Sequence, residues 1–177
     1  MTPAELTLLG LLVERPRHGY ELEEVITARG MREWTEIGFS SIYYVLTRLR
    51  DRGLIAEANA GGSSRGKARK VFAPTPEGVR VCAEAAEDAV AALRPVFPPL
   101  LVGLANQPVI PPTRLRAALA RRAEALADRI AEVRATAPAD APPFVRAIFD
   151  HSLAQLEAEQ RWLAAYRGEL DALRPEA

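Results

Sequence analysis

The 177-residue sequence predicts a mainly α protein with a small β-hairpin, and three observations predict it. Apolar residues recur at three- and four-residue steps over most of the chain, the period of a helix face. Two helix starts are spelled out, Thr2-Pro3-x-Glu5 and Thr75-Pro76, each a capping residue followed by proline in the first turn. One Gly/Ser-rich basic stretch, residues 60–67, lies between two short runs of strand type.

The first helix opens on the capping box of Thr2 and Glu5, carries Leu6, Leu9 and Val13 as a stripe widened by Leu8 and Leu12, and stops near Pro16. A turn at His18-Gly19 admits a second helix with Leu22, Val25 and Ile26 on one face. After a loop around residues 30–38, a third helix spans about Ser40 to Arg52, with Ser40 as N-cap and Gly53 as the residue that stops it. Residues 54–59 and 69–74 then form the hairpin around the basic tip, and a fourth helix runs from Thr75 to about Leu93. The prolines at 95, 98, 99, 108, 111 and 112 mark residues 94–112 as a linker with at most a short helical turn at 100–105. Its apolar content implies that it packs against something. Residues 113–177 read as two helices broken at 137–143. Leu115, Leu119, Leu126, Ile130 and Val133 stripe the first. Val145, Phe149, Ser152, Leu156, Glu159, Leu163, Tyr166, Leu170 and Leu173 follow coiled-coil steps on the second. Two helices cannot bury such a seam on both sides, so a homodimer with Val145, Phe149, Leu156, Leu163, Tyr166 and Leu170 at its interface is expected. The alternative is a hairpin folded back on the first domain of a monomer.

Composition excludes several classes of function. Hydrophobic residues at 49% and charged residues at 26% rule out wholesale disorder. The single cysteine, Cys82, cannot make an internal disulfide, no basic segment opens the chain, and no apolar run is long enough to span a bilayer. The expectation is a soluble cytoplasmic protein. His18 and His151 stand 133 positions apart with no metal-spaced partner, Cys82 has no neighbouring base, and Gly61-Gly62 lacks a phosphate-loop context. No catalytic residue, metal or cofactor is therefore expected.

Charge is segregated instead. Lys plus Arg equals Asp plus Glu at 23 each, yet residues 48–70 hold seven basic and two acidic side chains. Such an excess fits a polyanion partner. A solvated basic loop is the bland reading of the hairpin alone. The third helix adds to the case: Ile42, Val45, Leu46 and Leu49 share its inner face, leaving Ser40, Tyr44, Thr47, Arg48 and Asp51 outward with Ser41 and Tyr43 on the flanks. Hydroxyls, phenol rings and a guanidinium at a helix N-terminus suit phosphates and base edges. Arg65, Lys67, Arg69 and Lys70 on the hairpin extend that surface. Three helices, a hairpin and a further helix make a winged helix-turn-helix, followed here by a C-terminal α-helical dimerisation region.

Over roughly residues 6–80 the chain resembles the PadR family of bacterial transcriptional regulators. The resemblance rests on LTLLGLLVERPRHGYEL at 6–22, SSIYYVLTRLRDRGLI at 40–55 and GKARKVFAPTPEGV at 66–79. Tyr44 stands where that family commonly has proline, and Val71-Phe72 where it usually has two tyrosines. The resemblance implies a homodimeric regulator, usually a repressor, bound to a pseudo-palindromic double-stranded operator. It also implies release by a small aromatic effector, for which Trp34, Phe149, Trp162 and Tyr166 are the candidate contacts; ordinary interface packing is the competing role of the last three. The rival function is a winged-helix module for protein–protein contact. The domains are then 1–93 for DNA, 94–112 as linker and 113–177 for dimerisation.

Overall fold

The computed structural model describes residues 1–35, 37–38, 41–58, 70–137 and 140–172. It divides into two compact units, Met1–Arg94 and Pro95–Ala177.

In the first unit, helix α1 (Pro3–Glu14) starts as its sequence dictates: the Glu5 amide donates to Thr2 Oγ1 at 3.2 Å, and the Thr2 amide donates to Glu5 Oε2 at 2.8 Å. Strand β1 (Arg17–His18), α2 (Gly19–Ala28), a 3-10 turn at Met31–Glu33, α3 (Ser41–Asp51), β2 (Ile55–Ala58), β3 (Val71–Pro74) and α4 (Pro76–Ala91) follow. Leu8, Leu9 and Leu12 of α1, Leu22 and Ile26 of α2, and Ile42, Leu46 and Leu49 of α3 form one core with Ile55 and Phe72 of the sheet. The apolar faces of three helices meet over one side of a small sheet, as a winged fold requires.

Two expectations need correction here. The expected hairpin is present as β2 and β3, and one further strand completes a three-stranded antiparallel sheet in the order β1-β3-β2. Its extra strand is the segment read as a turn, where Arg17 pairs with Phe72 and His18 with Val71. Two residues are too few to show alternation. What holds them is a buried arginine: Arg17 Nε donates to the Leu11 carbonyl at 3.1 Å and Nη2 to Glu14 at 2.8 Å. The fourth helix ends at Ala91, two residues before the expected Leu93, and Ala92 is already extended at ψ 115°.

The end of α3 fixes the place of everything after it. Gly53 sits at φ 70°, the Gly53 amide donates to Arg50 O at 2.8 Å, and the Leu54 amide to Leu49 O at 2.9 Å. That paired pattern is a Schellman turn, whose left-handed residue favours glycine. The Leu54 carbonyl then receives the Thr75 amide at 3.0 Å, and Thr75 Oγ1 accepts from the Gly78 amide at 3.0 Å to cap α4. A Cβ on Gly78 would stand 1.9 Å from Leu54 O, so only glycine lets α4 approach so closely.

The second unit holds α5 (Pro99–Ala105), a 3-10 turn at Gln107–Val109, α6 (Pro112–Thr136) and α7 (Pro143–Ala172). Helices α6 and α7 form an antiparallel hairpin: Arg116 meets Asp171 at 3.3 Å, and Arg134 meets Glu157 at 2.7 Å. Leu115, Leu119 and Leu126 of α6 bury Leu163 of α7, with Leu156, Tyr166 and Leu170 packed against them. The apolar linker is covered only in part. Ile110 joins that cluster, while Val96, Phe97, Leu101, Val102 and Val109 remain exposed in the single chain.

Candidate nucleic-acid interface

Helix α3 presents two unlike faces. Ile42, Leu46 and Leu49 are fully buried, whereas Tyr43 and Tyr44 are 60% and 64% exposed. Large aromatic rings held in solvent on a core helix are a surface prepared for contact. Tyr43 is seated against Gly19 at the start of α2, where a Cβ would come within 2.7 Å of its Cε1. Arg48, one turn beyond Tyr44, places its guanidinium 5.9 Å from the Tyr44 ring centroid, a cation–π distance.

The hydroxyl groups on this face are partly engaged. Ser41 Oγ donates to Gly38 O at 2.6 Å, and Thr47 Oγ1 donates to Tyr43 O at 2.9 Å. Those protons are unavailable to a phosphate, which only accepts, unless the hydroxyls rotate. The outward donors in place are the Tyr43 and Tyr44 phenols, which make no hydrogen bond among the described residues, and Arg48. Ser40, Arg65, Lys67 and Arg69 lie outside the described residues.

The cations also carry more counter-charge than their spacing in sequence suggested. Lys70 Nζ donates to Glu57 Oε1 at 2.8 Å, and Arg50 reaches the same oxygen at 3.3 Å and Asp51 at 3.1 Å. The Lys70 ammonium, with Arg50 adding to it, holds the Glu57 carboxyl below its ordinary range against the upward push of desolvation. Arg48 Nη2 lies 3.2 Å from Glu5 Oε1, and Arg52 Nη1 lies 3.4 Å from Oε2. Burial pushes the Glu5 carboxyl up, but the Thr2 amide and the two arginines outweigh it and leave it below its usual value. Four cations at the root of this surface thus face three carboxylates. The positive excess of the sequence falls mostly on residues 65–69.

His18 ties the sheet to this surface. Its Nδ1 donates to the Lys70 carbonyl at 3.1 Å, its amide donates to Glu21 Oε2 at 2.6 Å, and its ring stacks on Tyr20 at 5.6 Å. It closes β1 and caps α2 where the sequence predicted a turn, and its role is in packing.

The C-terminal candidates separate into two settings. Leu163, expected between chains, is covered by α6 of its own chain; Leu156, Tyr166 and Leu170 pack partly on the same cluster, and Val145 and Phe149 are half-buried. Trp162 stacks on Tyr166 at 5.5 Å, and the Tyr166 hydroxyl donates to Gln107 Oε1. Trp34 belongs to the first unit and is 42% exposed. Two open hollows of about 310 and 330 Å³ share Arg116 and Leu170. Neither is lined by Phe149, Trp162 or Tyr166. Cys82 is buried, and its surroundings push the thiol pKa up, away from the thiolate a nucleophile needs.

Sequence reasoning missed Glu5 and Glu57 as partners of the basic residues. The capping box accounted for Glu5 completely at the sequence level, and nothing in a linear pattern places a residue of α1 beside Arg48 of α3 and Arg52 just after it. Among the described residues no group of three or more His, Cys, Asp or Glu side chains could hold a metal, and no helix is long and apolar enough to cross a membrane.

Residues 8–84 match the transcriptional regulator PadR-like family. No protein of curated function matches the chain in sequence. Several solved structures share its fold, three of them as follows. Bacillus subtilis PadR in complex with operator DNA is 14% identical, with a TM-score of 0.74 over 96% of this chain and 98% of that one. The same Bacillus subtilis protein in complex with p-coumaric acid is 16% identical, with a TM-score of 0.75 over 94% and 98%. A PadR-like transcriptional regulator from Bacillus cereus is 16% identical, with a TM-score of 0.71 over 97% and 99%. The fold is thus that of the PadR winged-helix regulators, mostly helical with a small three-stranded antiparallel sheet.

Proposed function

With residues 8–84 identified as a PadR-like regulator domain, we propose that the chain is a sequence-specific DNA-binding transcriptional regulator, acting as a homodimeric repressor on a pseudo-palindromic operator. The observation that carries this reading is the outer face of α3, where Tyr43, Tyr44 and Arg48 project on the side opposite the buried Ile42, Val45, Leu46 and Leu49. Inserted N-terminus first into a major groove, that face reads base edges and thymine methyls through the tyrosines and backbone phosphate through Arg48. Lys70, with Arg65, Lys67 and Arg69 beyond it, follows the flanking backbone. Ser41 and Thr47 contribute after rotating their hydroxyls.

The homodimer is supported by apolar surface that one chain leaves uncovered, including Val90, Leu93, Phe97 and Phe144 at 71–100% exposed. Residues 113–177, with Val145 and Phe149 on α7, are the proposed dimerisation region, residues 94–112 the linker and residues 1–93 the DNA-binding domain. A two-fold dimer sets its recognition helices about 34–36 Å apart, one helical turn of DNA. The p-coumaric acid in the Bacillus subtilis relative suggests an aromatic effector here also, with Trp162 and Tyr166, which stack on one another, as candidate contacts and Phe149 and Trp34 as separate candidates.

Fluorescence anisotropy tests the reading. DNA from upstream of the gene is compared with a scrambled duplex while salt is titrated. A preference of about a thousandfold or more, weakening as salt rises, is the expected result. Equal weak binding to both, together with no enrichment from random duplexes, would favour the protein-interaction module instead.

A further inference from the structure

We propose that Glu5 is a positioning residue for DNA recognition: its buried carboxylate holds Arg48 in one orientation on the α3 face, so that the arginine serves sequence-specific docking more than general attraction to DNA. The inference rests on the DNA-binding reading above and deepens it.

Glu5 is 1% exposed on α1, behind the recognition surface. Its two oxygens have different duties. Oε2 accepts from the Thr2 amide at 2.8 Å and lies 3.4 Å from Arg52 Nη1. Oε1 accepts no hydrogen bond among the described residues, and its counter-charge is Arg48 Nη2 at 3.2 Å. Helix capping needs only one oxygen. The second is spent on an arginine of the helix proposed to enter the groove. Arg48 and Arg52 are one turn apart, so a single carboxylate spans both.

The same geometry restricts Arg48. Glu5 holds it on one side and the Tyr44 ring lies 5.9 Å away on another, yet nearly half of its side chain stays exposed. A guanidinium held in this way offers its remaining N–H groups along a fixed direction, and the ordering cost is met before DNA arrives. Glutamine at position 5 keeps the shape and one acceptor for the Thr2 amide but loses the charge. Arg48 is then mobile and uncompensated, which strengthens attraction to any duplex and weakens registration on the right one.

The test measures anisotropy on the selected duplex and on a scrambled one for wild type, Glu5→Gln, Glu5→Asp, Thr2→Ala, Arg48→Ala and the Glu5→Gln/Arg48→Ala pair. The expected result for Glu5→Gln is a specific-to-nonspecific ratio lowered about tenfold, with a steeper salt dependence. Glu5→Asp, which keeps the charge, recovers part of the ratio. Thr2→Ala lowers the melting temperature and leaves the ratio alone, since it removes the cap and not the charge. In the Arg48→Ala background Glu5→Gln has no further effect on the ratio. The proposal is overturned if Glu5→Gln weakens both duplexes equally, as a folding defect would, or if its effect persists without Arg48. Loss of binding in Arg48→Ala with an inert Glu5→Gln removes this proposal and leaves the DNA-binding reading standing. Unchanged binding in both Arg48→Ala and Lys67→Ala removes both.

Discussion

Gly19 and Tyr43 are in contact across the start of α2, so close that a Cβ on the glycine would come within 2.7 Å of the ring's Cε1. The glycine is therefore a seat for an exposed aromatic ring on the outer face of α3. Because the ring is the outer end of a side chain, it can swing away when crowded. Gly19→Ala should accordingly cost less than about 1 kcal/mol of stability, since alanine also suits the first turn of a helix better. It should nonetheless displace Tyr43 and weaken specific DNA binding about tenfold. Denaturant midpoints and anisotropy on the same preparation separate the two effects.

Gly78 makes the opposite case. Its missing side chain faces a backbone carbonyl, Leu54 O, at 1.9 Å from the site of a Cβ, and neither the Schellman turn nor α4 can yield cheaply. Gly78→Ala should destabilise the first unit by about 3 kcal/mol, the upper part of the range for overpacking. Urea unfolding followed by circular dichroism checks it.

Leu163 is 1% exposed and is the one α7 residue that the α6 stripe buries fully. Leu163→Ala should destabilise the helical hairpin by about 2–5 kcal/mol, as truncations of core leucines do. The measurement is a loss of helical signal at a lower denaturant concentration than the wild-type chain. If dimerisation depends on an intact hairpin, sedimentation will show a raised dissociation constant in the same variant.

Acid should weaken the first unit. The Arg29 guanidinium, at 2.7 Å, holds the Glu14 carboxyl below its ordinary 4.5 against the push of burial, and Arg17 adds to the pull. Glu5 is depressed as well, although burial opposes it most strongly. A carboxyl with a lowered folded pKa contributes stability above its unfolded pKa and loses it as pH falls through the folded one. The urea midpoint should therefore be level above about pH 5 and decline below 4.5, with a shallower decline in Glu14→Gln.

Much of this surface could be read before any coordinates. Ile42, Val45, Leu46 and Leu49 at helical spacing oblige the rest of α3 to face outward, so Tyr43, Tyr44 and Arg48 were identifiable from the period alone. The caps at Thr2 and Thr75 and the stop at Gly53 were equally plain, because each depends on neighbours in sequence. The family resemblance over about residues 6–80 agrees with the match at 8–84. What stayed hidden depends on distant contacts. Arg17-His18 becomes a strand only because β3 arrives from 50 residues away with a free edge. The net charge around residues 48–70 overstated the free cation count, since Glu5 comes from another helix and Glu57 turns back on Lys70. The coiled-coil steps of α7 were real, but periodicity cannot say which surface a seam meets, and at Leu163 it meets α6.

The central claim, that the outer face of α3 reads DNA sequence, is tested most directly by selection from random duplexes, run in parallel with wild type and with Tyr44→Ala and Arg48→Ala. Wild type should enrich one two-fold symmetric motif with half-sites one helical turn apart, about 34–36 Å. Tyr44→Ala should enrich it with relaxed preference at particular base pairs, and Arg48→Ala more weakly throughout. Failure to enrich any motif, or the same motif recovered equally by all three proteins, would contradict the account.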